Sequence, residues 1–170
     1  MITSKDHANK LIISITDGKK LGEIRGLYVD PEMRQIAAIH LGTEGIINRK
    51  TLIILHAAVQ VFGADAWLVS GSNVVTTLEE TTDSVALTLI NNLRGREVQT
   101  EGGTKLGVIE DVILDGEARV LGFALGKVYA QGPLAEKKAI VREAITDFGS
   151  KDKPMIAVLA QAEALDIPTA

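Results

Sequence analysis

Gly103-Thr-Lys-Leu-Gly107-Val-Ile-Glu-Asp111-Val-Ile-Leu-Asp115 has a counterpart upstream, Gly18-Lys-Lys-Leu-Gly22-Glu-Ile-Arg-Gly26-Leu-Tyr-Val-Asp30. From Gly18 to Gly103 is 85 residues, half of a 170-residue chain. Each copy reads Gly-x-Lys-Leu-Gly-x-Ile, then apolar residues, then Asp. Apolar spacings of three, three and two (Leu21, Ile24, Leu27, Val29) would suit a helix, but glycines inside a helix cost about 1 kcal/mol each relative to Ala. A strand that switches faces at a bulge near Gly26 accounts for the spacing better. Gly18, Gly22, Gly26, Gly103 and Gly107 are read as turn and bulge positions, and Asp30 and Asp115 as residues that hold the following turns.

The copies extend outward from these stretches. Leu11–Ile15 and Glu97–Thr100 read as preceding strands, and Gln35–Leu41 and Val120–Leu125 as returning strands closed by Gly42 and Gly126. Ile53–Leu55 matches Ala139–Val141, Ala58–Phe62 matches Ala144–Phe148, and Ala66–Val69 matches Met155–Val158, which aligns Trp67 with Ile156. Residues 57–62 read as one turn or a strand, Val85–Ile90 as a short helix or a strand, residues 127–138 as a loop, and the Ala-rich tail from Gln161 as a short helix or frayed. The expectation is an all-β protein in two units, 1–82 and 83–170, with the break near 77–86.

The repeated motif, its closing Asp and the apolar stretches ending at Phe62 and Phe148 resemble the PRC-barrel family. The resemblance covers about 9–70 and 92–159. It implies two tandem, small, mostly antiparallel β-barrels with no shared enzymatic chemistry, in a family whose known members dock or assemble larger complexes. Two branches offer alternatives: a ribosome-maturation factor, hence an RNA- or ribosome-associated role, and the cytoplasmic domain of the photosynthetic reaction-centre H subunit, hence a reaction-centre assembly or electron-transfer-support role. The chain shows neither the distinct N-terminal domain of the first nor the membrane anchor of the second.

Composition narrows the chemistry. Residues 1–82 carry 8 Lys/Arg and 9 Asp/Glu, and residues 83–170 carry 10 and 13, so neither half attracts phosphate backbones in bulk. The absence of cysteine removes disulfides, thiol nucleophiles and Cys-based zinc sites. No apolar run approaches the roughly 20 residues of a membrane span, and no signal-peptide core follows the N-terminus. A soluble, cytoplasmic, non-enzymatic adaptor that uses no cofactor is expected, with an unidentified protein partner, a homodimer, or docking between the repeats.

Candidate partner-binding residues fall in two groups. Glu110, Asp111, Asp115 and Glu117 could gather a divalent cation or an Arg-rich partner, or form a solvated turn. Lys137, Lys138 and Arg142 could form a basic face, but Glu136 and Glu143 interleave with them and should blunt it. Nucleic acid is therefore not an expected partner. His7, His40 and His56 lack ligand spacing; a two-histidine metal start would need the strands of His40 and His56 to bring them together. Trp67 is read as core.

Overall fold

β-branched and aliphatic runs bounded by glycine turns form fifteen strands in the computed structural model, which describes residues 1–81 and 86–168. The first copy contains β1 (Leu11–Ser14), β2 (Lys20–Glu23), β3 (Gly26–Val29), β4 (Ile36–Glu44), β5 (Lys50–Leu55), β6 (Val59–Phe62), β7 (Ala66–Val69) and β8 (Thr76–Thr77). The second contains β9 (Thr88–Leu89), β10 (Glu97–Gln99), β11 (Lys105–Leu114), β12 (Val120–Val128), β13 (Ala139–Val141), β14 (Ile145–Asp147) and β15 (Met155–Ala157). Two short helices, α1 (Pro133–Lys137) and α2 (Leu159–Ala164), complete it. The fold is all-β, as expected, with half-barrel sheets. The expected break at 82/83 lies outside the described residues.

The repeat holds at the level of register. Gly22 lies opposite Ile12 and Gly107 opposite Val98, and each ladder shifts at the next residue, so the two glycines are equivalent. β11 runs unbroken through Asp111, whereas the first copy divides at Ile24 and Arg25 into β2 and β3. The second copy therefore forms one sheet, β13-β12-β11-β10-β15-β14, and the first forms two, β2-β1-β7-β6 and β8-β5-β4-β3-β9. A parallel pair recurs in each copy: Ile12 lies opposite Trp67, and Val98 opposite Met155. Trp67 is thus the equivalent of Met155, which corrects the alignment with Ile156. The loop after Phe148 is two residues longer than the loop after Phe62, and the alignment with Ile156 allows three, which moves the register by one.

Residues 57–62 split into a 3-10 turn and β6, and Thr88–Leu89 is a strand followed by a 3-10 turn at Ile90–Asn92. The segment expected as a loop contains α1, started by Pro133 and anchored by buried Leu134. The tail begins as α2.

The copies exchange their leading segments. Thr3 bridges Ile113 of β11, and the Leu114 amide donates to the Ile2 carbonyl at 2.9 Å. Reciprocally, β9 pairs with β3, placing Leu89 opposite Tyr28 and Thr88 opposite Val29. Ladder position makes Tyr28 the counterpart of Ile113, so each copy's arm pairs with the other copy's sheet, the second through β9 and the first through a single bridge. Midway between the arms, Gln35 bridges Arg119. There the Ile36 amide donates to the Ala118 carbonyl at 2.9 Å and the Val120 amide to the Arg34 carbonyl at 2.8 Å, a pair related by an approximate twofold axis. The main core accordingly runs through both copies, from Ile12, Ile39 and Trp67 to Leu106, Phe123 and Met155.

Gly107 illustrates how closely the second copy is packed. A Cβ there would stand 2.6 Å from the Lys127 carbonyl oxygen and 3.2 Å from Leu125. Gly116, on an open turn, would meet nothing within 4 Å. Gly107→Ala should lower the stability measured by urea unfolding by about 1–3 kcal/mol, while Gly116→Ala should change it by less than about 0.5 kcal/mol.

Candidate functional site

The sequence-derived acidic group does not converge. Glu110 is exposed and reaches Lys5 at 3.8 Å. Asp115 holds its own turn: Oδ1 accepts from the Glu117 amide at 2.8 Å and the Arg119 amide at 2.9 Å, and Oδ2 accepts from Arg119 Nε at 2.8 Å. Asp30 does the same for the Arg34 amide at 2.7 Å. Glu117 lies in solvent beside Arg119 at 3.0 Å. Among the described residues, no group of three or more acidic or histidine side chains is placed to hold a metal ion.

Asp111 is different, being only 2% exposed. Its carboxylate accepts from the Ser4 hydroxyl, from the Lys5 amide at 3.0 Å, from its neighbour Val112's amide at 2.8 Å and from Arg94 Nη2 at 3.3 Å. Arg94 also donates to Ser4 Oγ at 3.0 Å and to the Asn91 side-chain oxygen. Asp111 therefore clasps the first copy's arm to the second copy. The equivalent position in the first copy is Gly26, which lies opposite His40 as Asp111 lies opposite Ala124. A Cβ at Gly26 would come within 3.1 Å of Leu89, so the second arm is seated there by apolar packing. One arm is held by a charged clasp and the other by a leucine over a bare backbone.

Burial pushes the Asp111 carboxyl up, but the hydrogen bonds from Ser4, Lys5 and Val112 outweigh it and hold the group below its ordinary value of 3.8. His7, on the same arm, packs its ring 5.1 Å from Trp67 and takes a contact from Lys10 Nζ on Nδ1 at 3.0 Å. Burial first, then the Lys10 charge, lowers its pKa to about 4.

The basic trio is likewise dispersed. Lys137 Nζ donates to the Leu165 carbonyl at 3.2 Å and pairs with Asp166 at 2.9 Å, fastening the tail. Lys138 ends α1 in the left-handed region at φ 53°. Arg142 reaches across to the first copy, donating from Nε to the Met33 carbonyl at 2.8 Å, and lies over Phe148 at 5.3 Å. Its counterpart is His56, whose Nε2 meets the Glu117 carbonyl at 3.2 Å and whose ring stands 5.2 Å from Phe62. His56 and Arg142 are thus matched struts across the twofold axis. His40 lies opposite Ile53 and its ring meets Tyr28 edge-on at 6.1 Å, so the two-histidine site does not form. Trp67, 1% exposed, is core, with Phe62 edge-on at 4.9 Å.

Two surface features carry no motif and escape sequence reasoning. The first is the tip of the β4–β5 hairpin, where Ile46 and Ile47 are 95% and 93% exposed. The second is a groove of about 720 Å³ between the copies, beside the second arm. Insertion of residues into the loop after Phe148 and the arm exchange create that groove, and neither leaves a local signature.

This is a repeated half-barrel fold whose copies are locked by exchanged arms. Residues 88–142, within the second copy, match the family model described as PRC-barrel domain. The match begins at β9, within the exchanged arm, and ends just past β13. No curated protein matches the chain. Among the described residues, no helix is long and apolar enough to cross a membrane.

Buried Asp111 on β11 and His7 on the first arm set a pH dependence. A carboxyl whose pKa is lower folded than unfolded adds stability above the unfolded value, near 3.8, and loses it as pH falls through the folded value. A histidine lowered from 6.5 to about 4 costs stability progressively as pH falls across that interval, because the unfolded chain binds the proton first. Wild-type stability should therefore decline from pH 6.5 to 4, and His7→Phe should flatten that decline. Asp111→Asn should cost about 3 kcal/mol at pH 7, with its deficit shrinking only below about pH 4. Urea unfolding at stepped pH reads both effects.

Proposed function

We propose that the chain is a non-enzymatic, cytoplasmic protein-binding module that uses its two PRC-like copies as a rigid platform. The exposed isoleucine pair carries this reading. Gly45, at φ +92°, tightens the loop, and an added Cβ there would stand 2.8 Å from the Asn48 carbonyl oxygen. The Glu44–Lys50 pair ends the ladder directly below. The loop thus presents Ile46 and Ile47 outward at the end of the hairpin. The second copy fills the corresponding connection with α1 and buries Leu134 under it. Full burial of an isoleucine side chain stabilises by about 1.5–3 kcal/mol, so the pair could supply much of a partner's affinity. Placing the first copy in the same family as the second rests on the shared register and the shared Gly-x-Lys-Leu-Gly motif.

Ile46→Asn/Ile47→Asn should leave the unfolding midpoint unchanged, because neither side chain packs on the fold. Affinity purification of wild type and double variant from lysate of the source organism should differ by discrete proteins retained only by wild type. Identical sets of retained proteins would contradict the adaptor reading at this tip.

A further inference from the structure

The groove between the copies joins an apolar floor to cations that the fold leaves unspent. Met33 and Phe148 form part of its wall, and Asn91, Arg94, Arg96 and Lys151 approach it from both sides. Its volume lies within the roughly 300–1,000 Å³ range of small-molecule sites. The charges are not equivalent. Arg94 is committed to Asp111, Ser4 and Asn91. Arg96 makes one hydrogen bond, from Nη1 to the Phe148 carbonyl at 2.9 Å, and has no carboxylate partner among the described residues. A guanidinium carries five N–H donors, so most of its fork stays available for a planar anion. Burial lowers the Arg96 pKa, the sign of a partly desolvated cation with no compensating carboxylate.

Lys151 stands on the inserted loop, exposed and likewise without an ion pair among the described residues. Glu97 pairs with Lys105 at 3.4 Å, and with Asp152 it lines an adjoining hollow that Arg96 and Lys151 also border, not this groove. No Asp or Glu among the described residues lines the groove. On a chain of net charge −4, two cations that form no ion pair among the described residues border one recess with apolar walls.

We propose that this groove binds a small organic anion, with a phosphate or carboxylate headgroup on Arg96 and Lys151 and an apolar body against Phe148 and Met33. Arg96 supplies the planar, bidentate contact and Lys151 a mobile point charge. The Asn91 and Asn92 amides supply neutral donors. Among the described residues, the first copy has no such site. Its loop after Phe62 lacks the two inserted residues, and its counterpart of Arg96 is Lys10, which is turned to His7 and the Gly63 carbonyl. The site is independent of the hairpin tip, so Ile46→Asn/Ile47→Asn should bind the same ligands unchanged.

Titration of the full-length, ¹⁵N-labelled chain with phenyl phosphate, benzoate and phenol tests the proposal. At least one of the two anions should give saturable amide shifts confined to residues 91–96 and 148–151, and phenol should bind at least tenfold more weakly. Lys151→Glu, on an exposed loop, should weaken the anion at least fivefold without altering the unfolding midpoint. Arg96→Gln should weaken it further, with midpoint and spectrum checking that it folds. Absence of saturable shifts for both anions, phenol binding as tightly as the anions, or binding unaffected by Lys151→Glu would overturn the assignment.

Discussion

Two hydrogen bonds on the approximate twofold axis, Ile36 to Ala118 and Val120 to Arg34, are the constraint on which the rest depends. They join the hairpin tips of the copies in a fixed register. With the tips fixed, each leading arm lies against the other copy's central strand, and the sheets share one core. A copy of about 85 residues buries only a modest fraction of its surface alone, and its central strand would present an unpaired edge. The exchange answers both problems by laying each copy's arm along the other's open edge.

The symmetry of the exchange is broken chemically. At one crossing a buried carboxylate gathers Ser4, Lys5 and Arg94; at the other, a glycine leaves room for Leu89. A buried charge that loses its partner is far more costly than an apolar contact that loosens. The first arm is thus specified by polar geometry and the second by fit. His56 and Arg142 repeat the contrast, since an arginine fork and an imidazole do the same bridging work on opposite sides of the axis.

The frame was legible in the sequence because its signals are local. Glycines at 18, 22, 103 and 107, aspartates that close turns at 30 and 115, and β-branched runs between them define strands and repeat without reference to tertiary contacts. The losses were of another kind. The Trp67 register was lost to a two-residue insertion, and α1 was hidden because its only strong signal is Pro133 before an ordinary stretch. Arm exchange was not legible, since residues 85–90 suit a short helix as well as a strand and nothing local names the partner of Thr88–Leu89. Asp111 was singled out with the wrong companions: strand alternation and the Asp115 turn separate it from Glu110 and Glu117, and its true partners sit 107 residues upstream at Ser4 and 17 upstream at Arg94. Arg96 and Lys151 border the groove only because the second arm and the inserted loop come together beside Pro31 and Met33 of the first copy.

The central claim is that the arms and the axial bridge belong to the same cooperative unit as the core. Native-state amide hydrogen exchange at low denaturant measures it residue by residue. The amides of Leu114, Ile36 and Val120, which bond to Ile2, Ala118 and Arg34, should exchange with the same free energy and denaturant dependence as Ile39 and Phe123 in the sheet interiors. Exchange of the junction amides through an opening several kcal/mol cheaper than that of Ile39 and Phe123 would show two independently folded copies merely touching, and would contradict the account.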